Sequence, residues 1–251
     1  ARLTPTHAPT PHAMITLFVS DIDGCLAMPY ESFRMDRIQV LSERIHSPGT
    51  PAFSLCSGRA YAYVEAMTQL LGLRLPTLFE SGAGMFDVTT GQSAFHPSFT
   101  SKLQRDVKDI QAYMAEVISR YPGLSMDYAK QTQGAAAGRQ EFGLYDALAE
   151  IRGFVEAEFP HFNTFHTHIS IDVVPTGLTK AEGIAWLADH MGIALEEVAF
   201  IGDTNGDVPA LDIVGRSFAP ANGQDAVKAR VDHASALNDI DAVIEAFSLV
   251  S

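Results

Sequence analysis

The chain has 251 residues, of which 47% are hydrophobic, and a formal net charge of -13. This length and apolar content are enough for one large domain or for a core with an insertion, and they argue against global disorder. The acidic balance argues against a nucleic-acid partner, because phosphate backbones attract basic surfaces. No apolar stretch approaches the length of a membrane span. The two cysteines, Cys25 and Cys56, favour a reducing, cytoplasmic compartment over a disulfide scaffold.

Residues 1–13 differ in composition from the rest of the chain. They are rich in Pro, Thr and His and lack the apolar segment of a signal peptide. We therefore expect a disordered leader, followed by a folded region from residue 14 onward.

The next 70 residues or so alternate short apolar runs with helical patterns. Runs at 15–20, 52–55 and 75–79 predict buried strands. Apolar residues at helical spacing predict a helix across 35–45 and another across 64–71. This alternation predicts right-handed βαβ units and a parallel sheet.

The middle of the chain has a different pattern. Residues 102–121 and 145–158 predict two amphipathic helices. Residues 165–174 alternate strictly, which predicts one half-buried strand of an antiparallel sheet. One predicted face carries Phe165, Thr167, Ile169, Ile171 and Val173, and the other carries His166, His168, Ser170, Asp172 and Val174. We therefore place a second, α+β unit at 84–175.

The βαβ pattern returns after residue 175. A helix is expected from Thr179, a buried strand at 198–201, a short helix from Asp207 and a strand near Phe218. The predicted fold class is α/β: a doubly wound parallel-sheet core, 14–83 and 176–251, with an inserted α+β cap at 84–175.

Two carboxylates directly follow the first apolar run. Asp21 and Asp23 lie at the carboxyl end of the predicted strand, where open α/β sheets bind their ligands. Buried like charges this close repel, and one pKa rises unless a cation offsets the charge. The pair therefore indicates a divalent metal, an acid–base pair or both. Taken alone, the tetrapeptide 21–24, which contains both aspartates, is equally compatible with a solvated turn.

Further polar residues lie where other predicted strands end or helices begin. They are Ser57, Lys180, Asp203 and Asp207. In a doubly wound sheet such positions converge on one crevice. The set then offers a nucleophilic carboxylate, an acid–base carboxylate, a hydroxyl, a cation and metal-binding carboxylates, which is what phosphoryl transfer needs.

These motifs resemble the haloacid dehalogenase-like superfamily of phosphohydrolases. The matching stretches are Asp21-Ile22-Asp23-Gly24, Ser57-Gly58-Arg59, Thr179-Lys180-Ala181-Glu182-Gly183 and Gly202-Asp203-Thr204-Asn205-Gly206-Asp207. The insertion between the second and third motifs resembles the large α+β cap of sugar-phosphate phosphatases. Sucrose-phosphate, mannosyl-phosphoglycerate and phosphoglycolate phosphatases are similar in layout.

The resemblance implies a role for each matching residue. Asp21 would attack phosphorus and become an aspartyl-phosphate. Asp23 would protonate the leaving oxygen and later take a proton from water. Ser57 and Gly58 would bind the phosphoryl group, and Lys180 would neutralise its charge.

The resemblance also implies a cofactor and a substrate class. Mg²⁺ would be held by Asp21, the Asp23 backbone carbonyl and Asp203, with Asp207 orienting Lys180 or a bound water. The implied substrate is a small phosphorylated metabolite, with sugar phosphates as the expected class.

Each motif also has a plainer interpretation. Ser57-Gly58 alone is compatible with a simple turn, and Lys180 with a solvated helix residue. A capping box at Thr179 and Glu182 places Lys180 in the first helical turn, against the helix dipole, which favours a functional role. The 203–207 stretch also resembles a calcium loop, but valines stand at the sixth and twelfth positions.

Substrate contacts are predicted at four positions. Arg59 is a candidate for a second anionic group, with a surface ion pair as the alternative. His166, His168 and Asp172 are candidates to line the pocket, with a solvated face as the alternative. A zinc site at the two histidines lacks a third ligand. Cys25 stands where the family usually has Thr, and we interpret both cysteines as small buried residues.

Two other functions remain open from the sequence. A phosphotransferase or mutase would share the chemistry up to the aspartyl-phosphate. A non-catalytic metabolite-binding protein would use the same scaffold, although no catalytic carboxylate is missing.

Overall fold

The structure, a computed structural model, describes residues 13–251. Apart from Ala13, the predicted leader lies outside the described residues. No helix within 13–251 combines the length and the apolar character needed to cross a membrane.

Five parallel strands form the central sheet, in the order β12-β11-β10-β1-β2. Their bounds are β1 Leu17–Ser20, β2 Ala52–Leu55, β10 Val198–Ile201, β11 Arg216–Ala219 and β12 His233–Ala234. All four residues of β1 are buried, and β1 pairs with β2 on one side and β10 on the other. The chain segment that follows β1 therefore leaves the sheet at its centre.

Helices cover both faces of this sheet. They are α1 Met35–Ile45, α2 Tyr61–Leu71, α5 Lys180–Met191, α6 Val208–Leu211, α7 Asp225–Lys228 and α8 Asp239–Ser248. Side chains alternate along β1: Phe18 packs with Phe247 of α8 on one face, whereas Leu17 packs with Ile184 of α5 on the other. This two-sided core confirms the predicted doubly wound fold.

A small antiparallel sheet adjoins the core. It contains β3 Thr77–Phe79, β4 Gly84–Asp87 and β5 Gln92–Phe95, and a 3-10 turn at Glu80–Gly82 joins β3 to β4. A parallel bridge between Cys56 and Leu78 links it to the end of β2. The hairpin at 84–95 thus pairs with β3, and a cap boundary at residue 84 stays a prediction.

The inserted unit has its own sheet and its own apolar core. Its elements are α3 Ser101–Ile118, β6 Leu124–Met126, β7 Gly134–Gly138, α4 Leu144–Glu158, β8 Phe162–His166 and β9 Ser170–Pro175. The antiparallel sheet has the order β6-β7-β9-β8. Ile110 of α3 and Ile151 of α4 are fully buried with Val173 of β9. Both helices therefore lie on one face of the sheet. Short 3-10 turns at Gln140–Phe142 and Leu195–Glu197 complete the described elements.

The prediction of one strand across 165–174 is wrong. The segment is a hairpin, in which β8 ends at His166, β9 begins at Ser170, and Phe165 lies opposite Asp172. The Thr167 hydroxyl contacts the backbone N–H of Ile169 at 3.2 Å and the Ser170 hydroxyl at 2.9 Å, which supports the turn. Because this turn contains no Gly, Pro or Asn, apolar alternation continues through it and conceals it.

Candidate active site

The predicted site residues converge at the carboxyl edge of the central sheet. Asp21 follows β1, Ser57 follows β2 and Asp203 follows β10. Ser20 is in register with both Leu55 and Ile201, so these three strands end at the same level. Their loops therefore share one crevice, as the strand order requires.

The loop after β1 is held by its own backbone. The carbonyl of Ile22 accepts N–H bonds from Cys25, Leu26 and Ala27. Gly24 has a φ of +74°, and a Cβ at this position would lie 2.1 Å from Asp203 Oδ2. Glycine is therefore required here both by conformation and by the close approach of the Asp203 carboxylate.

Lys180 lies among the carboxylates of the site. Its Nζ is 2.6 Å from Asp21 Oδ2 and also donates to Asp207 Oδ1. The lysine is 7% exposed and Asp207 is fully buried. The capping box of Thr179 and Glu182 is present and fixes Lys180 at the start of α5.

Asp207 is saturated by protein donors. Its Oδ2 accepts bonds from the backbone N–H of Asp203 at 3.1 Å, and from the N–H and hydroxyl of Thr204, each at 2.9 Å. Its Oδ1 is occupied by Lys180. This carboxylate is therefore better suited to orienting Lys180 and the 203–204 loop than to binding a metal directly.

The carboxylates of Asp21 and Asp203, next to that of Asp207, fit a hard cation. Each offers an oxygen within 4.8 Å of the others. Asp203 Oδ1 is buried without a hydrogen-bond partner among the described residues. A buried, unpaired carboxylate oxygen is costly unless a cation or a proton meets it. Oxygen-only donors of this kind suit Mg²⁺ or another hard divalent ion.

The protonation of the site follows from its burial. Burial raises the pKa of Asp21 to about 7, against an opposing effect of Lys180. Burial and the charge of Asp207 raise the pKa of Asp203 to about 8. Burial lowers the pKa of Lys180, but Asp207 and Asp21 outweigh it, so the net shift is well upward. Without a divalent ion, the site therefore retains protons near neutral pH.

Asp23 and Arg59 form a two-point ion pair. Arg59 Nε lies 2.6 Å from Asp23 Oδ2, and Arg59 Nη2 lies 2.6 Å from Asp23 Oδ1. The guanidinium also lies over the Tyr63 ring, 4.8 Å from its centroid. The sequence predicted a substrate contact for Arg59; the partner that the structure shows is Asp23, so the substrate role stays a prediction.

Ser57 and Gly58 form a turn at the end of β2. Ser57 is fully buried, its hydroxyl accepts the N–H of Arg59 at 3.3 Å, and its carbonyl accepts the N–H of Ser81 at 2.9 Å. Gly58 is partly exposed. The turn lies beside Asp21, and the phosphate-binding role of both residues stays a prediction.

The proposed substrate face of His166, His168 and Asp172 does not exist as predicted. Residues paired across an antiparallel ladder share a face, so His166 shares the face of Ile171 while Asp172 shares the opposite face with Phe165. The His166 ring lies 5.8 Å from the Tyr145 ring, and His168 Nδ1 is 3.4 Å from the Tyr145 hydroxyl. The two histidines therefore lie beside α4, separate from Asp172.

Asp172, on the inner strand β9, belongs to a polar cluster with the loop between β6 and β7. Lys130 Nζ lies 2.6 Å from Asp172 Oδ1, and Gln133 Nε2 donates to the same oxygen at 3.3 Å. Lys130 is 9% exposed and Gln133 is fully buried. No local sequence pattern marks Lys130, because it lies in the loop between β6 and β7, 42 residues before its partner Asp172.

Other residues of the site region were also missed. Asn222 Nδ2 donates to the Gly24 carbonyl at 2.8 Å and so holds the loop after β1. Glu80, at the carboxyl end of β3, is fully buried and contacts the cap. A charged residue directly after an apolar strand was the available sign for Glu80. Cys25 and Cys56 are buried free thiols whose pKa values are raised by burial.

Comparison with known proteins agrees with this arrangement. A family model described as haloacid dehalogenase-like hydrolase matches residues 142–247. A phosphoglycolate phosphatase of Thermoplasma acidophilum is 27% identical and is aligned over 88% of this chain and 92% of its own length.

Solved structures share the fold along nearly the whole chain. A Thermoplasma acidophilum structure gives a TM-score of 0.76 at 22% identity, covering 95% of this chain and 99% of that one. The sucrose-phosphatase of Synechocystis sp. PCC6803, in complex with sucrose and phosphate, gives 0.68 at 12% identity, covering 94% and 98%. The family-model match over residues 142–247, the similar relatives and the shared fold together show that this chain is similar to the haloacid dehalogenase-like hydrolases.

Proposed function

We propose that this hydrolase is a Mg²⁺-dependent phosphomonoesterase that works through an aspartyl-phosphate on Asp21. The observation that carries the proposal is the contact between buried Asp21 and Lys180, at 2.6 Å, beside the unpaired Asp203 oxygen. A nucleophilic carboxylate held next to a fixed cation is suited to a substrate that brings negative charge to phosphorus.

The chain's own residues account for both half-reactions. Asp21 attacks phosphorus, the bond from phosphorus to the ester oxygen breaks, and Asp23 gives its proton to that oxygen. Water then attacks the aspartyl-phosphate, Asp23 takes one proton from it, and phosphate leaves as the Asp21 carboxylate is restored. Lys180 stays beside Asp21 through both steps, and the Ser57 turn holds the phosphoryl oxygens.

The metal would be held by Asp21, Asp203 and the Asp23 carbonyl. When bound, Mg²⁺ would neutralise phosphoryl charge and the excess charge of the carboxylates. Asp207 supports this site through its contacts with Lys180 and with the 203–204 backbone.

Arg59 has two uses in this proposal. In the free protein it holds Asp23 in one orientation through the two-point pair. An anionic group on the substrate competes for the same guanidinium and so releases Asp23 toward the leaving oxygen.

The proposed substrate is a small phosphorylated metabolite. Sugar phosphates are the expected class, and the relative named phosphoglycolate phosphatase adds short phosphorylated acids to the test set. The site of action would be the cytoplasm, as the two free cysteines favour.

The test is phosphate release from a panel of sugar phosphates, phosphoglycolate and phosphoglycerates, with Mg²⁺ or with EDTA. Asp21→Asn should reduce turnover on the order of 10³-fold or more, since removal of a covalent nucleophile leaves only binding effects. Asp109→Asn, an exposed carboxylate on α3, serves as the matched control and should retain native turnover. Turnover that persists in Asp21→Asn, or that is the same with EDTA as with Mg²⁺, would contradict the proposal.

A further inference from the structure

The 3-10 turn at Glu80–Gly82 touches three parts of the molecule at once. On one side it meets a loop of the cap, on another the turn that carries Ser57, and on a third the helix that carries Lys180.

The carboxylate of Glu80 binds the cap directly. Its Oε2 accepts the backbone N–H of Gln131 at 2.9 Å, and the N–H and hydroxyl of Thr132, each at 2.6 Å. Glu80 and Thr132 are both fully buried. Three donors on one carboxylate oxygen make this a strong, charge-assisted contact between two units that are far apart in sequence.

The backbone of the same turn binds the predicted phosphate site. The N–H of Glu80 donates to the Arg59 carbonyl at 2.9 Å, and the N–H of Ser81 donates to the Ser57 carbonyl at 2.9 Å. A displacement of the turn would therefore move the segment that carries both Ser57 and Arg59.

The third contact is with α5. A Cβ at Gly82 would lie 2.7 Å from the Cα of Gly183, so the turn packs backbone to backbone against the first turns of the helix. Lys180 begins that helix. The turn is thus fixed relative to the cation of the site as well.

The conformation of the turn is unusual for its residues. Glu80 has a φ of 48° and Ser81 a φ of 59°, both in the left-handed region that non-glycine residues rarely adopt. Such a backbone persists only where surrounding contacts impose it. Here the contacts with the cap, the Ser57 segment and α5 do so together.

Burial of the Glu80 carboxylate also carries a cost in free energy. Burial raises the pKa of Glu80, while the bonds from Thr132 and Gln131 and the charge of Lys130 oppose that shift. Its second oxygen, Oε1, has no partner among the described residues. A buried group of this kind is more easily explained by a positioning task than by stability alone.

The face of the cap sheet that lies away from α3 is closed to solvent at Ala135. Ala135 lies on the sheet face opposite α3, because it is in register with Asp172 while the neighbouring Gly134 faces Ile110. It is nevertheless only 2% exposed. The Lys130–Asp172 pair lies in the same region, because Asp172 is in register with Ala135 and the charge of Lys130 acts on Glu80.

We propose that Glu80 is a positioning residue, which docks the 131–132 loop of the cap and thereby fixes the Ser57–Arg59 segment against α5. Cap docking and the geometry of the phosphate site are then set by one carboxylate. The kinetic part of this inference rests on the proposed phosphatase function, whereas the docking part does not.

The docking part is tested by distance measurement between cap and core. Spin labels at Asp109→Cys on α3 and Glu43→Cys on α1, both exposed, report the separation by pulsed electron paramagnetic resonance, since the native cysteines are buried. Glu80→Ala should broaden the distance distribution and shift it to longer distances. An unchanged distribution in Glu80→Ala would overturn the inference.

Asp87→Ala is the matched control. Asp87 also accepts the N–H and hydroxyl of a threonine, Thr89, at 2.8 and 2.6 Å, but within a single turn. It should leave the distance distribution native. Thr132→Val removes one of the three donors and should shift the distribution in the same direction by less, which keeps the test decisive if Glu80→Ala does not fold.

The kinetic part uses the best substrate of the panel. Loss of a charge-assisted contact that positions the binding segment should raise KM about 10-fold or more, with a smaller change in kcat. A merely structural role would leave both constants of the folded fraction native, and that outcome would overturn the positioning role. If the native protein hydrolyses no panel member, the proposed function fails, while the distance measurement still decides whether Glu80 docks the cap.

Discussion

Lys180 and the carboxylates around it leave the site with an excess of buried negative charge. Asp21, Asp203 and Asp207 lie close together, Lys180 contacts Asp21 and Asp207, and the pKa values of Asp21 and Asp203 rise because of burial. A divalent ion bound there, as proposed, would compete with protons for the same oxygens. At the scale of single residues, this competition links stability to both pH and metal.

The first prediction concerns this linkage. Because the pKa values of Asp21 and Asp203 in the folded state lie above the ordinary aspartate value of 3.8, the folded state binds more protons than the unfolded state between about pH 4 and 8. In EDTA the melting temperature should fall as pH rises through this window, and Mg²⁺ should offset the fall at pH 8. Thermal denaturation at several pH values checks this.

Asp203→Asn provides the comparison for that experiment. With one titrating group removed, the fall in melting temperature should be smaller in EDTA and the response to Mg²⁺ weaker. An equal change of melting temperature with pH and Mg²⁺ in the native protein and in Asp203→Asn would show that other groups cause the linkage.

The second prediction concerns Gly24. Its φ is +74° and a Cβ would meet the Asp203 carboxylate at 2.1 Å, whereas Gly49, with a φ of +84°, has nothing within 4 Å. Gly49→Ala should cost about 1 kcal/mol from backbone strain alone. Gly24→Ala should cost more and should also displace Asp203, so Mg²⁺ affinity, measured by calorimetry, should fall. Equal stability loss with native Mg²⁺ affinity would refute the close-approach argument.

At the scale of elements, α5 is held by its capping box at the N-terminus and by the close packing of Gly183 against Gly82. Thr179 and Glu182 form the capping box that presents Lys180, and Gly183 allows the turn at Gly82 to approach. The helix is therefore positioned by local sequence at its start and by a tertiary contact one turn later.

The third prediction compares two helical glycines. Gly153 on α4 has open space around it, whereas a Cβ at Gly183 would lie 2.4 Å from the Cα of Gly82. Gly153→Ala should raise the free energy of unfolding by up to about 1 kcal/mol, from helix propensity. Gly183→Ala should lower the free energy of unfolding instead, because the backbone at Gly82 or in α5 would have to move. Chemical denaturation measures both, and a stabilising Gly183→Ala would contradict the packing described here.

At the scale of the whole molecule, the cap and the central sheet have separate apolar cores. The cap core gathers residues of α3, α4 and its own sheet, and the central sheet has one cluster on each face. We therefore expect the two units to open separately in native-state hydrogen exchange.

The fourth prediction follows from this separation. Ile151 in the cap and Ile201 in β10 are both fully buried. Ile151→Val and Ile201→Val should each cost about 0.5–1.5 kcal/mol. In hydrogen exchange, Ile151→Val should lower protection mainly in α3 and α4, and Ile201→Val mainly in β1 and β10. Uniform loss of protection in both variants would show a single cooperative unit.

The sequence by itself determined four of the five central strands (β12 was not predicted), the α5 capping box and the position of Asp21 at the end of a buried strand. These features are local: apolar runs, side-chain periodicity and cap residues act over a few neighbours. Parallel strands also end at one edge, so the order of the motifs was enough to bring Asp21, Lys180, Asp203 and Asp207 together.

Only the tertiary structure decided the cap hairpin at 162–175, the pairing of Arg59 with Asp23, and the contact of Glu80 with the cap. The hairpin turn lacks the residues that usually mark a turn, so periodicity could not reveal it. The two carboxylate contacts join segments 36 and 52 residues apart. Such pairings depend on how whole elements pack, because a long side chain binds whichever partner the fold brings within reach, and no local pattern encodes that choice.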